Sequence, residues 1–75
     1  MTKTFTAYVE KDPETGLYVA IVPGLTGAHT QGASLDELQE NLKEVISLIL
    51  EDMAERGEEI ETDQFVGIQQ IEVPV

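Results

Sequence analysis

The sequence predicts a small α+β domain whose elements follow the order β-β-β-α-β. Three observations support this prediction: short β-prone segments before residue 34, one long amphipathic segment from Ser34 to Met53, and a final β-prone segment from Phe65 to Val73. Alternating apolar and polar residues indicate strands, and apolar residues at three- and four-residue steps indicate a helix. The 75 residues give room for one domain, 1–75.

The first two predicted strands form an antiparallel hairpin. Residues 4–10 alternate between apolar and polar side chains, and residues 17–22 are apolar throughout. Between them, Asp12, Pro13 and Gly16 supply a turn, because Pro presets φ and Gly accepts a positive φ. One face of this hairpin carries Tyr8 and has no element of the chain to cover it. We therefore expect this face to be a candidate for self-assembly.

A tight turn and a short third strand lead to the helix. The segment 22–25, Val-Pro-Gly-Leu, has the residue pattern of a type II turn. Residues 28–31 are long enough for a short strand at the edge of the sheet. Gly32 is interpreted as a bulge or as a positive-φ residue immediately before the helix.

The predicted helix begins at Ser34 and ends near Arg56, where Gly57 can terminate it. Ser34 and Glu37 match the capping box, in which the glutamate reaches back to the amide of the cap residue. Asn41 is a poor residue for a helix interior, so we expect it to hydrogen-bond the segment 27–31. The apolar stripe that should face the sheet consists of Leu35, Leu38, Leu42, Val45, Ile46, Ile49 and Met53.

The last predicted strand runs from Phe65 to Val73 and stops before Pro74, which cannot donate to a strand ladder. Both faces of this segment are partly apolar, so we expect it inside the sheet or against another chain. A right-handed crossover after the helix would return it parallel to the first strand. The predicted strand order is therefore 3-2-1-4, with the helix on one face of the sheet.

The chain is strongly acidic, with fifteen Asp and Glu against four Lys and Arg and a formal net charge of -11. This charge argues against direct binding of nucleic acid and of anionic membranes. It favours a basic protein partner, although acidity that only keeps a small protein soluble is the alternative. The candidate partner-binding residues are Glu10, Asp12, Glu14, Asp36, Glu40 and Glu44.

The short length and the absence of cysteine together predict a homo-oligomer. A chain this small buries only about 60% of its unfolded surface, so its own core is thin. Without cysteine the chain has no disulfide or thiolate metal site to stabilise that core. The sequence shows neither the apolar region of a signal peptide nor a run of about 20 apolar residues, so we expect a cytoplasmic protein.

No set of side chains predicts catalysis. His29 could act as a base for Ser34 or Ser47, but Ser34 is the predicted cap and Ser47 lies within the helix. His29 also lacks a second His or a Cys to share a metal. Glu10 and Asp12 could hold Mg²⁺ in a nuclease, although a solvated hairpin end is the simpler explanation for them. We therefore predict no catalytic residue, no metal and no cofactor.

An ordered series of residues connects the tight turn, the third strand and the helix. The pattern V/I-P-x-L-x-G, then T-x-G, S/T-x-x-E and N-x-x-E-A-I/L, is met at Val22, Pro23, Leu25, Gly27, Thr30, Gly32, Ser34, Glu37, Asn41, Glu44 and Ile46. The hairpin matches further at Tyr8, Val9, Asp12, Gly16, Tyr18 and Val19. In this series the segment from Phe5 to Leu50 resembles the HicB family of antitoxins. Ala28 and Leu38 depart from it, since relatives often have Cys and Ala there.

The resemblance implies a partial ribonuclease-H-like βββαβ fold without nuclease activity. It also implies an oligomer that masks HicA, a small basic ribonuclease that cleaves messenger RNA with a catalytic His. Many relatives add a C-terminal DNA-binding domain, whereas this sequence ends at Val75, so operator binding is not expected. Two alternatives stay open: a metal-dependent nuclease remnant with residual activity, and an orphan oligomer without a toxin.

Overall fold

The computed structural model of the chain describes residues 3–60 and 66–75. Its regular elements, in chain order, are β1 (Tyr8–Lys11), β2 (Tyr18–Ile21), β3 (His29–Gly32) and α1 (Leu35–Glu55). The strands form one antiparallel sheet in the order β1-β2-β3. Among the described residues, no helix is both long and apolar enough to cross a membrane. The α+β class and the first four elements of the predicted order are confirmed.

The side chain of Asp12 closes the hairpin between β1 and β2. Its Oδ1 accepts a hydrogen bond from the backbone N–H of Glu14 at 3.0 Å, and its Oδ2 accepts one from the Thr15 hydroxyl at 3.1 Å. Gly16 then adopts a φ of +74° and donates its N–H to the Asp12 carbonyl at 2.8 Å. The predicted turn is confirmed, and the Asp12 carboxylate is part of it.

The loop between β2 and β3 belongs to the core. The predicted turn at residues 22–25 is confirmed by a φ of +83° at Gly24 and by a 3.3 Å hydrogen bond from the Leu25 N–H to the Val22 carbonyl. Val22 also donates its N–H to the Ala28 carbonyl at 2.8 Å. Because Val22, Leu25 and Ala28 are buried, this loop packs under α1 instead of standing in solvent.

The core lies between α1 and the inner face of the sheet. Its buried members are Ala20, Val22, Leu25, Ala28, Leu38 and Leu42. The helix lies over β3 and β2 rather than over β1. Leu38 and Leu42 are the buried residues of α1, whereas Leu35 is 57% exposed. The apolar stripe of the helix is therefore only partly covered.

Gly32 is the last residue of β3 and pairs in register with Tyr18. It is not among the described glycines with positive φ. A Cβ atom at this position would lie 2.7 Å from the backbone nitrogen of Leu38 and 2.9 Å from its Cα. The interpretation of Gly32 as a bulge or a positive-φ residue is wrong, because glycine is needed here for the close approach of strand to helix.

The helix ends in a Schellman motif after the C-cap residue Arg56. Gly57 has a φ of +72° and donates its N–H to the Ala54 carbonyl at 3.2 Å. Glu58 donates its N–H to the Met53 carbonyl at 2.9 Å. This pair of bonds satisfies carbonyls that the last turn leaves free. The predicted helix end is confirmed.

Among the described residues there is no fourth strand. Phe65 lies outside the described residues, and residues 66–75 pair with no described strand. We call residues 66–75 the C-terminal arm. Val66 is 92% exposed, Ile68 82% and Ile71 73%. The order 3-2-1-4 is not confirmed, because a β-prone sequence becomes a strand only where another strand supplies its hydrogen bonds.

The sheet face opposite α1, which we call the outer face, is covered by no described element. The register places Tyr8 opposite Ile21 and Ile21 opposite His29. Tyr8 is 43% exposed and Ile21 is 52% exposed. The expected uncovered face therefore exists, and self-assembly through it stays a prediction.

Candidate partner-binding surface

One exposed side of α1 carries three of the candidate acidic residues. Asp36, Glu40 and Glu44 follow one another at four-residue steps, so they lie on one side of the helix. All three are exposed, and this side faces away from Leu38 and Leu42, which are buried against the sheet. We call these three residues the acidic helix face, which extends over about 12 Å of helix.

Among residues 3–60 and 66–75, little neutralises the acidic helix face. Lys43 Nζ lies 3.7 Å from Glu40 Oε1, and the two side chains are 66% and 75% exposed. Such an exposed pair contributes little energy. Asp36 lies in the first helical turn, where its charge also stabilises the helix dipole. The carboxylates of this face are therefore free to meet a basic partner.

The remaining three candidates form a second group at the hairpin, which we call the hairpin cluster. Glu10 is exposed on β1 and lies opposite Val19 in the register. Both carboxylate oxygens of Asp12 already accept hydrogen bonds from the turn. Glu14 is exposed and contributes its backbone N–H to that turn. Glu10 and Glu14 can therefore bind a partner more readily than Asp12.

The structure does not bring the six candidates together in one site. By the alternation of β1, Glu10 shares the outer face with Tyr8. The helix α1 packs on the opposite, inner face of the sheet, and its acidic helix face points from there into solvent. A partner on the acidic helix face would therefore meet α1, whereas a partner at Glu10 would meet the outer face.

Several residues of the sequence pattern hold β3 and α1 together. Asn41 Nδ2 donates a hydrogen bond of 2.8 Å to the Gln31 carbonyl, as expected. Ser34 Oγ accepts the Glu37 N–H at 3.1 Å, which confirms the cap. Glu37 Oε2 accepts the N–H of Ala33 at 2.9 Å, one residue before the predicted amide. The pattern therefore builds the strand-helix junction.

The residues weighed for catalysis lie apart. His29 is exposed on the outer face, opposite Ile21, whereas Ser34 and Ser47 belong to the cap and the exposed side of α1. The hydroxyl of Ser34 is occupied by its capping bond. Within residues 3–60 and 66–75, no three His, Cys, Asp or Glu side chains lie close enough to hold a metal ion.

Sequence reasoning missed an apolar groove of about 710 Å³ beside β1, which we call the N-terminal groove. The apolar residues on its walls include Phe5, Ala7, Val9, Leu38, Ile46 and Leu50. Its described lining contains no carboxylate but includes Lys3 and Lys43, two of the four basic residues of the chain. The alternation of residues 4–10 indicated one apolar wall of this groove. The groove is open because α1 lies toward β3, and the sequence did not predict this offset.

Comparison with known proteins gives a family and several relatives. The model of the HicB-like antitoxin of bacterial toxin-antitoxin systems matches residues 5–72. A UPF0150 protein of Thermotoga maritima is 51% identical over 71 residues, which cover 95% of this chain and 91% of the relative. A UPF0150 protein of Archaeoglobus fulgidus is 48% identical over 69 residues, which cover 92% of this chain and 93% of the relative. No solved structure matches significantly.

Proposed function

The chain belongs to the HicB-like antitoxin family of bacterial toxin-antitoxin systems, and from this premise we propose that it is a non-catalytic antitoxin that masks a small basic toxin. The proposed toxin is of the HicA type, a ribonuclease that cleaves messenger RNA. The family match over residues 5–72 carries this proposal. The net charge of -11 supports it, because an acidic protein suits a basic partner.

In the proposed mechanism, carboxylates of the antitoxin occupy the place that RNA phosphates take on the toxin. Charge-assisted hydrogen bonds from Lys and Arg of the toxin to these carboxylates are short and strong. The opposite net charges of the two proteins also speed their encounter. The body of the domain then blocks the access of RNA to the catalytic His of the toxin.

We assign the main contact to the acidic helix face. Asp36, Glu40 and Glu44 are exposed on a long helix, which holds them at a fixed spacing. In the hairpin cluster, by contrast, the Asp12 carboxylate is occupied by its own turn. The hairpin cluster is therefore the second choice for the contact.

The proposal also covers the fold, the oligomeric state and the cellular location of the protein. We propose that the domain is a partial ribonuclease-H-like fold whose fourth strand is supplied by the C-terminal arm, and that the protein is a homo-oligomer. It would act in the cytoplasm, where messenger RNA is translated, without binding nucleic acid or membranes directly. The charge of -11 supports this last point.

Co-expression with the basic protein encoded by a neighbouring gene tests the proposal. We expect the two proteins to co-purify, and we expect this chain to relieve the growth arrest that the toxin causes. If the two proteins form no complex, either in the presence or in the absence of RNA, this result would contradict the antitoxin role and favour an orphan oligomer.

A pair of charge reversals tests the assignment to the acidic helix face. Glu40→Lys with Glu44→Lys should raise the dissociation constant for the toxin by roughly a hundredfold, because two close charge pairs become repulsive. Glu10→Lys with Glu14→Lys changes the net charge equally at the hairpin cluster and should have a much smaller effect. Isothermal titration calorimetry measures both constants, and equal effects would contradict the assignment.

RNA cleavage separates the antitoxin from a nuclease remnant. A nuclease of that type needs carboxylates that converge on Mg²⁺ or Mn²⁺. The purified protein should leave RNA intact with either ion. Cleavage that EDTA abolishes, and that persists after repeated purification, would favour the nuclease.

A further inference from the structure

Leu48 is an exposed apolar residue in the second half of α1. Its relative exposure is 60%, although the helix packs on the sheet through Leu38 and Leu42. A single exposed leucine is ordinary on a protein surface, so its surroundings decide whether it has a role. Leu35, which is 57% exposed, lines the N-terminal groove, whereas Leu48 does not belong to the described lining. The two leucines of one helix therefore allow a direct comparison.

Carboxylates surround Leu48 on the helix surface. Glu44 precedes it by four residues, and Glu51 and Asp52 follow it by three and four, so all three are its neighbours. Glu55 follows Glu51 by a further four residues, and all four acidic residues are exposed. We call Leu48 and these four residues the Leu48 patch. Its apolar centre and charged rim are the usual arrangement of a protein interface.

The charges of the Leu48 patch are unfavourable in the free chain. The patch extends to the C-terminal end of α1, where the helix dipole favours cations, yet the last turn has no basic residue. Glu51 and Glu55 also form a like-charge pair at the spacing that destabilises a helix. Arg56 Nη2 lies 2.9 Å from Asp52 Oδ2, but these side chains are 57% and 62% exposed, so the pair contributes little. A cationic partner would therefore relieve this repulsion.

We propose that the Leu48 patch docks a basic helix of the toxin, with one apolar side chain of that helix packed on Leu48 and flanking Lys or Arg paired with the carboxylates. The basic residues must lie three or four positions from the apolar one, because the carboxylates have this spacing around Leu48. The charges select a basic partner and fix its register, whereas the burial of Leu48 adds affinity. This inference rests on the proposed function and extends its acidic contact from Glu44 toward the end of α1.

A comparison of the two exposed leucines gives the first test. Leu48→Ala should raise the dissociation constant of the toxin complex about tenfold, because it removes apolar surface that the contact buries while Ala preserves the helix. Leu35→Ala is the matched control and should change the constant by less than about twofold, as a surface substitution outside the contact. Isothermal titration calorimetry measures both constants. Equal effects of the two substitutions would overturn the proposal.

Salt separates the apolar centre of the patch from its charged rim. Raising the salt concentration should reduce the effect of Glu51→Gln on the dissociation constant, because screening weakens pairs of exposed charges. The effect of Leu48→Ala should persist, since an apolar contact is not screened. An effect of Leu48→Ala that disappears with salt would contradict the packing of an apolar side chain on Leu48.

A synthetic peptide tests the patch without the toxin. The probe has about 18 residues, long enough to form a helix in water, and carries one leucine flanked by lysines at three- and four-residue steps. Added to the isotopically labelled full chain, it should shift the NMR signals of residues 44–55 and leave those of the hairpin cluster unchanged. The same peptide with serine in place of leucine should bind at least about fivefold more weakly. Equal binding of the two peptides, or shifts centred elsewhere, would overturn the proposal.

These experiments distinguish a failure of this inference from a failure of the antitoxin role. A toxin complex that Leu48→Ala leaves unchanged would overturn the inference and leave the antitoxin role in place. If no toxin complex forms but the leucine peptide binds at residues 44–55, the antitoxin role fails, and the patch remains a docking surface for a basic helix.

Discussion

At the scale of single residues, the junction between β3 and α1 depends on Gly32, which has no side chain, and on the side chain of Asn41. Gly32 lets the strand backbone pass against the backbone of Leu38. Asn41 reaches back from the helix to the Gln31 carbonyl at 2.8 Å. The hydrogen bond of Asn41 could be anticipated from sequence, because Asn needs a reason to lie within a helix. The need for glycine at position 32 could not be anticipated in this way, since it depends on the distance between the packed strand and helix.

We expect Gly32→Ala to destabilise the protein by about 1–3 kcal/mol, because its Cβ would overlap the helix backbone and force β3 and α1 apart. This corresponds to a fall in melting temperature of roughly 4–8 °C for each kcal/mol. Thermal unfolding followed by circular dichroism measures the change. Thr26→Ala is the control, since residue 26 is exposed in the loop between β2 and β3. A melting temperature unchanged by Gly32→Ala would contradict the close approach.

At the scale of elements, local chemistry accounts for the helix but not for the fourth strand. The boundaries of α1 follow from Ser34 at its start and Gly57 after its end, and each makes its contact within a few residues. The C-terminal arm has an equally clear β-prone sequence, yet it pairs with no described strand. A helix satisfies its backbone within itself, whereas a strand needs a neighbour.

Ser34→Ala should lower the stability by about 1 kcal/mol, because the N–H of Glu37 loses its 3.1 Å acceptor at the helix start. Ser47→Ala makes the same substitution at an exposed position inside α1 and should be neutral or slightly stabilising, since Ala is the better helix former. Urea unfolding of the two variants gives the comparison. Equal destabilisation by both would argue against a specific capping role.

At the scale of the whole molecule, charge is unevenly distributed. The chain carries fifteen acidic residues, yet the described lining of the N-terminal groove has none. We therefore expect the acidic helix face to suit a basic protein, whereas the N-terminal groove offers an apolar surface of different chemistry. Sequence reasoning assigned the acidity to a basic partner and self-assembly to the outer face, and both assignments stay predictions.

Salt should affect the two proposed associations in opposite directions. Raising the salt concentration from about 50 to 500 mM shortens the Debye length to roughly 4 Å and screens both attraction and repulsion between exposed charges. The toxin complex should weaken at least about tenfold, because it joins opposite charges. The proposed homo-oligomer should hold or tighten, because acidic chains repel each other less at high salt. Analytical ultracentrifugation at both salt concentrations measures the two constants, and a homo-oligomer that dissociates with salt would contradict an apolar contact.

The sequence by itself determined the α+β class, the turns at Asp12 and Gly24, the helix boundaries and the likeness to the family. These features depend on backbone preferences and on contacts a few residues apart, which the order of residues specifies. Only the tertiary structure decided that the acidic candidates lie on two sides of the sheet, that α1 leaves a groove beside β1, and that residues 66–75 pair with no described strand. Those outcomes depend on how separate elements pack, and no local pattern contains that information.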